Sequence, residues 1–278
     1  MSRSGWAAGN PMHLKRWISG LILGPSLILF IVFAPPWVFL LFILLLIYLG
    51  LREFYTFSPP SMSPREKGAG LILALLLAVA LYSRDPRYFL FSLVFALFWF
   101  LIGALFQPEE FPLRVEKAGR HLLGLLYIGL LLAHFVLMRK MDTGRLLILF
   151  TLVAVYFGDT TAFYLGRAYG KRKLAPRISP GKTVEGALGA VAGSVAGAVL
   201  SKALFFPQLP LVHALILGVA VGGIGQLGDL WESLLKRSAQ VKDSGNLIPG
   251  HGGLLDRIDS VLFAAPVVYY YAWAVGMQ

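Results

Sequence analysis

LVHALILGVAVGGIGQLGDL, residues 211–230, is a twenty-residue run with one carboxylate, Asp229, and no Lys or Arg. A helix of this length spans about 30 Å, the thickness of a bilayer's hydrocarbon core. The run therefore reads as a transmembrane helix, and the rest of the chain agrees with it. Hydrophobic residues make up 57% of the 278 positions and charged residues 14%, well under the roughly one quarter of an average soluble domain. The mean hydropathy is +0.72. Comparable runs fall at 17–33, 37–51, 69–81, 88–106, 121–138, 146–165, 187–206 and 254–275. The expected fold is an all-α integral membrane protein, a polytopic bundle of about nine transmembrane helices. Gly24, Pro25, Pro35 and Pro36 make the first two spans the candidates for broken helices or a re-entrant pair.

Lys and Arg set the orientation, because positively charged short loops stay cytoplasmic. With the N-terminus inside, 19 of the 25 basic residues fall on the cytoplasmic side. That arrangement places the N-terminus in the cytoplasm, the C-terminus outside, and the two most charged loops at the inner face of a cell (inner or plasma) membrane. The net charge of +11 follows from this topology signal and from attraction to anionic lipid and anionic substrates, so nucleic acid is not an expected partner. The absence of Cys excludes disulfides and thiolate metal sites. The first apolar run has no small-residue cleavage site and reads as a retained span. Residues 1–145 are Leu-rich with short loops and read as an N-terminal scaffold. Residues 146–278, with Gly-rich helices and long charged loops, read as the catalytic half of a single membrane domain.

Polar residues in that second half carry the chemistry. Asp159 lies inside the sixth span; if the helix stops at Leu165, it sits about 9 Å from the cytoplasmic end, where a carboxylate needs a partner or a wet cavity. A structural Asp satisfied by Thr160 or by a Lys is the plainer alternative. The next loop ends in RISPGKTVEG, residues 177–186. It is not a Walker A loop, because Pro176 stands where Gly is required and no strand is expected before it. It reads as a Gly- and Pro-rich turn entering a helix, with Ser179, Lys182 and Thr183 placed for phosphate, or as a plain topology determinant. GIGQLG, residues 223–228, matches a dinucleotide fingerprint only formally; inside an apolar helix, close helix packing explains it better. Small residues at Gly186, Ala190, Gly193 and Gly197 likewise read as a packing face, either within one chain or between two copies as a homodimer.

Asp229, Glu232, Ser233 and Lys236 recur at spacings that put them on one helical face, although a solvated face would give the same pattern. Residues 233–259, SLLKRSAQVKDSGNLIPGHGGLLDRID, follow, and their glycines let backbone approach a ligand. Asp229, Asp243, Asp256 and Asp259 can converge on one cytoplasmic surface beside Lys182, Lys236, Arg237, Lys242 and Arg257. Hard carboxylates among phosphate-binding cations, with no Cys, suit Mg²⁺ and a polyphosphate.

Ser233, Lys236, Arg237, Lys242, Asp243, Gly245, Ile248, Pro249, His251, Gly252, Gly253, Asp256, Arg257 and Asp259 together resemble the signature of the CDP-diacylglycerol synthase (phosphatidate cytidylyltransferase) family. The likeness covers 27 residues and is specific, and 179–186 is similar to a second family segment. It implies an enzyme of phospholipid biosynthesis, a nucleotidyltransferase that joins CTP to phosphatidic acid, giving CDP-diacylglycerol and pyrophosphate with Mg²⁺. Asp229 and Asp256 would then be metal ligands, with Asp243 and Asp259 completing or orienting that shell; a second metal or a monovalent cation stays open. Lys182, Thr183, Ser179, Lys236, Arg237, Lys242 and Arg257 would hold the triphosphate and the lipid phosphate. Asp159 would lie beneath them, and His251 would position phosphate or cytosine. A CDP-archaeol-type synthase is the nearest alternative, and an ion-coupled transporter using Asp159 and Asp229 the more distant one. A CDP-alcohol phosphotransferase is excluded, since the chain has no Asp-Gly pair and its closing acids are three apart.

Overall fold

The computed structural model describes residues 24–57, 62–83, 85–245, 247 and 252–277. Its helices are α1 (Gly24–Phe33), α2 (Pro36–Thr56), α3 (Pro64–Tyr82), α4 (Pro86–Leu105), α5 (Phe111–Gly124), α6 (Leu131–Arg139), α7 (Gly144–Tyr169), α8 (Val184–Leu204), α9 (Leu211–Ser238) and α10 (Leu255–Ala274). A π-helical stretch, Leu125–Leu130, joins α5 to α6, so residues 111–139 run as one helix. Proline at the first turn of α2, α3, α4 and α5 starts each helix where its missing N–H costs nothing. Among the described residues, six helices are long and apolar enough to cross a membrane: α2, α4, the 111–139 helix, α7, α8 and α9. α3 and α10 coincide with two further expected spans, and α1 covers the later part of the first. The outer surface explains the composition. Along α4 only Ala96 and Phe100 are buried, while Phe91, Phe98, Trp99 and Ile102 point outward, a face that only lipid solvates at low cost.

Two local expectations are corrected. α7 continues to Tyr169 rather than stopping at Leu165, so Asp159 lies ten residues, about 15 Å, from its end. The helix outruns its apolar window by a polar last turn that carries Arg167. The loop after it holds a two-stranded antiparallel hairpin, β1 (Lys173–Ala175) and β2 (Ser179–Thr183), instead of an open turn. A strand therefore does precede the GKT. A Walker A loop is still ruled out, because Gly181, Lys182 and Thr183 lie within β2 itself. Glu185 accepts hydrogen bonds from the Lys171 and Arg172 backbone N–H groups and so ties the hairpin base to α8.

Residues 146–278 are packed through glycine. α7 and α8 lie face to face, and α8 also packs on α9 and α9 on α10. A Cβ at Gly193 would lie 2.3 Å from Thr161 Oγ1 and 2.7 Å from the Phe157 carbonyl; one at Gly197 would meet the Val153 carbonyl at 3.1 Å. Gly158 on α7 answers from the other side, its Cβ position 2.3 Å from Ser194 Oγ. The small-residue stripe is thus spent within the chain, and a pairing of two copies would need another face. Gly193→Leu is expected to push α8 off α7, and thermal unfolding in detergent should show loss of the folded protein or a large fall in Tm. The GIGQLG segment follows the same logic: a Cβ at Gly228 would sit 2.5 Å from the Asp259 carbonyl of α10.

The N-terminal half carries its own polar lock. Lys117, fully buried, pairs with Glu66 at 3.1 Å and with Glu109 at 2.5 Å. The hydrogen bond from Lys117 holds the Glu109 carboxyl below its ordinary range. α10 packs on α9, α6 and α2, and thereby joins the two halves.

Candidate active site

A cavity of about 690 Å³ opens where α7, the β2–α8 junction, α9 and the start of α10 meet. Each wall follows from a local cause. On α9, Gln226, Asp229, Glu232 and Lys236 share one face by their three- and four-residue spacing, and all four line the cavity. β2 is extended, so Ser179, Gly181, Lys182 and Thr183 run along the opposite rim. α10 supplies Asp256, Arg257 and Asp259 from its first turns, and α7 supplies Asp159, Phe163 and Arg167.

Charges meet across this space. Lys182 Nζ lies 2.8 Å from Asp229 Oδ2, which joins the hairpin to α9. Lys236 bridges Glu232 and Asp256, both largely buried. Asp256 Oδ2 accepts from the Ser244 backbone N–H at 3.1 Å, from Ser244 Oγ at 3.1 Å and from the Gly253 N–H at 3.0 Å. Its Oδ1 faces Lys236. Ser260 Oγ donates to Asp159 Oδ1 at 3.4 Å, and the Ser260 N–H donates to Asp259 Oδ1 at 2.7 Å, so one residue touches two of the cavity's acids. Thr183 faces the cavity, but its Oγ1 accepts from the Gly186 N–H as the N-cap of α8. Its first task is to start that helix.

Nine expected site residues therefore come together: Asp159, Ser179, Lys182, Thr183, Asp229, Lys236, Asp256, Arg257 and Asp259. Asp243, Arg237 and Lys242 do not line the cavity. Arg237 is turned to the backbone, donating to the Val241 carbonyl at 3.1 Å and the Ile178 carbonyl at 3.4 Å, which braces the signature loop against the hairpin. His251 lies outside the described residues, as do Ile248 and Pro249. Gln226, Glu232 and Arg167 line the cavity without having been assigned a role; Glu232 and Gln226 were legible as members of Asp229's helical face. Lys171 donates its backbone N–H to Glu185 of α8 and does not line the cavity, so Lys171→Ala should leave turnover within about twofold of the parent in a CTP-dependent assay.

Five carboxylates around one polar cavity present hard oxygen donors and no sulfur, the donor chemistry of Mg²⁺. Asp229 is one-third exposed, and among the described residues it meets Lys182 and, at 3.5 Å, Ser233 Oγ, which leaves room for a cation at its carboxylate. Asp256 has only Oδ1 to offer, and Lys236 now stands against it. Among the described residues no three acids or histidines already form a closed cage, and the donor set fits an ion shared with substrate oxygens.

The sequence profile of the cytidylyltransferase family matches residues 14–275. The chain belongs to that family. A phosphatidate cytidylyltransferase of Synechocystis is 36% identical over 94% of this chain and 96% of its own length. One from Aquifex aeolicus is 32% identical over 92% and 90%, and one from Bacillus subtilis is 40% identical over 56% and 58%. The match reaches the N-terminal helices as well as the signature segment, and the cytidylyltransferase assignment removes the transporter reading.

Proposed function

We propose that this chain transfers the cytidylyl group of CTP to phosphatidic acid, releasing pyrophosphate and forming CDP-diacylglycerol for phospholipid biosynthesis. The observation that carries the reading is the cavity itself, where Lys182 of the hairpin faces Asp229 of α9 while Lys236 faces Asp256 of α10. Family membership and relatives named phosphatidate cytidylyltransferase support the same reaction.

The attacking group is a phosphate monoester whose second pKa is near 6, so it is largely dianionic at neutral pH and needs no strong base. The difficulty is electrostatic: a dianion must approach the α-phosphate of another anion while pyrophosphate departs opposite it. Lys182 and Lys236 each stand against a carboxylate that an arriving phosphate would replace as their partner, so the site holds neutralising charge in waiting. Arg167 and Arg257 add guanidinium donors at the cavity wall, suited to bidentate phosphate contacts. Asp229 and Asp256 would hold Mg²⁺, with Asp259, Glu232 and Asp159 around them; the ion would supply charge neutralisation between the reacting oxygens. Ser260 keeps Asp159 and Asp259 in place.

We further infer nine spans with the N-terminus inside, residues 1–145 as scaffold and 146–278 as catalytic half. The cavity then faces the cytoplasm, where CTP is available, at the level of the lipid headgroups. Basic residues of the hairpin region, Arg167 to Lys182, support this side by the positive-inside rule. The decisive assay incubates purified protein with CTP, phosphatidic acid and Mg²⁺ and follows CDP-diacylglycerol and pyrophosphate together. Absence of both from folded protein would overturn the reading; a parallel acceptor with ether-linked isoprenoid chains separates the archaeal-type activity.

A further inference from the structure

Glu53 is a carboxylate from the scaffold half that reaches the catalytic loop. It sits in the last turn of α2 and is only 7% exposed. Among the described residues no Lys or Arg pairs with it; its partners are all hydrogen-bond donors from the signature segment. The Leu254 N–H donates to Oε1 at 2.7 Å, the Leu255 N–H to Oε2 at 2.9 Å, and Ser244 Oγ lies 3.1 Å from Oε2.

These contacts answer a local need. α10 begins at Leu255 with no side-chain cap of its own, leaving its first N–H groups without acceptors. Glu53 supplies them from two hundred positions earlier in the chain, with its negative charge at the positive end of the helix dipole. The packing is tight enough to fix the geometry: a Cβ on Gly253 would lie 2.7 Å from Glu53 Oε2, and one on Gly245 2.9 Å from Oε1. Glu53 also shares a donor with the site. Ser244 Oγ, 3.1 Å from Glu53 Oε2, is equally 3.1 Å from Asp256 Oδ2, and a hydroxyl has one proton for the two carboxylates.

We propose that Glu53 is a positioning residue for the cytidylyl transfer: it caps α10 and, through Ser244, sets where Asp256 presents Oδ1, the oxygen facing Lys236, to the cavity. It touches no cavity surface itself, so its effect falls on the rate of the chemical step and leaves CTP affinity nearly unchanged. The proposal rests on Asp256 belonging to the active site, and the test separates the two ideas.

Glu53→Gln keeps size and shape but turns an NH₂ toward donors. It is expected to lower kcat about 30-fold, the scale on which sub-ångström to 1 Å misplacement acts, with the KM for CTP within threefold. Deuterium uptake should rise across 252–262 while α7 and α8 keep the parent's uptake. Full kcat, or a loss accompanied by raised uptake throughout the bundle, overturns the proposal. If the variant does not fold, Ser244→Ala decides: it leaves Glu53 on the α10 amides but removes the shared hydroxyl, and kcat should fall about fivefold to tenfold; parent-like kcat there overturns it. Asp256→Asn with full activity would sink the site reading instead, while the uptake measurement on Glu53→Gln would still report whether Glu53 holds α10.

Discussion

Asp229→Asn and Asp256→Asn are each expected to bring cytidylyl transfer down by about a thousandfold or more in protein that still folds. The size follows from what is lost. On the proposed metal-holding role, an amide keeps the volume of the carboxylate but carries no charge and would hold a divalent cation poorly, and about 4 kcal/mol of transition-state stabilisation is an ordinary consequence. The two variants differ in their side effects. Asp229 is one-third exposed and leans on Lys182 alone at close range, so Asp229→Asn should leave Tm near the parent's. Asp256 receives three hydrogen bonds and faces Lys236, so Asp256→Asn also turns an NH₂ toward donors and leaves Lys236 beside Glu232 only. A lower Tm and a looser 242–256 segment should accompany its lost turnover. Product formation by radiolabelled CTP, measured beside a melting curve for each variant, checks both. Near-parent turnover in either would remove that residue from the metal-binding role.

Gly228→Ala, a single added methyl group, is expected to cost as much function as many charged substitutions. Its Cβ would meet the Asp259 carbonyl at 2.5 Å and the Phe263 side chain at 3.2 Å, so α9 and α10 must separate where Asp229 and Asp259 face the cavity. Overpacking of this kind costs about 1 to 3 kcal/mol of stability, and the separation widens the gap between the carboxylates. Turnover should fall by about 10² with a reduced Tm, whereas Gly223→Ala, with nothing within 4 Å of its Cβ position, should match the parent in both measurements. Equal behaviour of the two variants would mean that the close approach of α9 to α10 is unimportant for the site.

The contrast between Gly228 and Gly223 also marks how far the sequence could be read. Small residues in GIGQLG and GALGAVAG announced close helix packing, and spacing on α9 announced which side chains share a face; both follow from 3.6-residue periodicity, which is local. Lys182, Asp256 and Asp259 were legible because charge inside or beside apolar runs is expensive and stands out. Glu53 was illegible for the opposite reason. Its partners are backbone N–H groups of Leu254 and Leu255, which carry no side-chain signature, and it sits beside Arg52 at a helix end where an acid looks ordinary. The short strands of the hairpin were hidden too, since KLA and SPGKT pair through main-chain atoms with little apolar alternation. Arg237, which the signature suggested for phosphate, instead meets the Ile178 and Val241 carbonyls from the end of α9, contacts with main-chain atoms that carry no sequence signal.

The glycine zipper between α7 and α8 decides which parts of the cavity can yield. Backbones that nearly touch from Gly158 to Gly193 have no slack, so Asp159 on one helix and Lys182 at the root of the other belong to one stiff plate. The opposite side hangs on hydrogen bonds between loop amides and carboxylates: Ser244, Gly253, Leu254 and Leu255 on Glu53 and Asp256. A nucleotide and a two-tailed lipid differ greatly in shape, and any give needed to seat both together is expected from that hydrogen-bonded side. Stiffness is therefore expected on the α7–α8 side and compliance where Ser244 and residues 253–255 hang from Glu53 and Asp256.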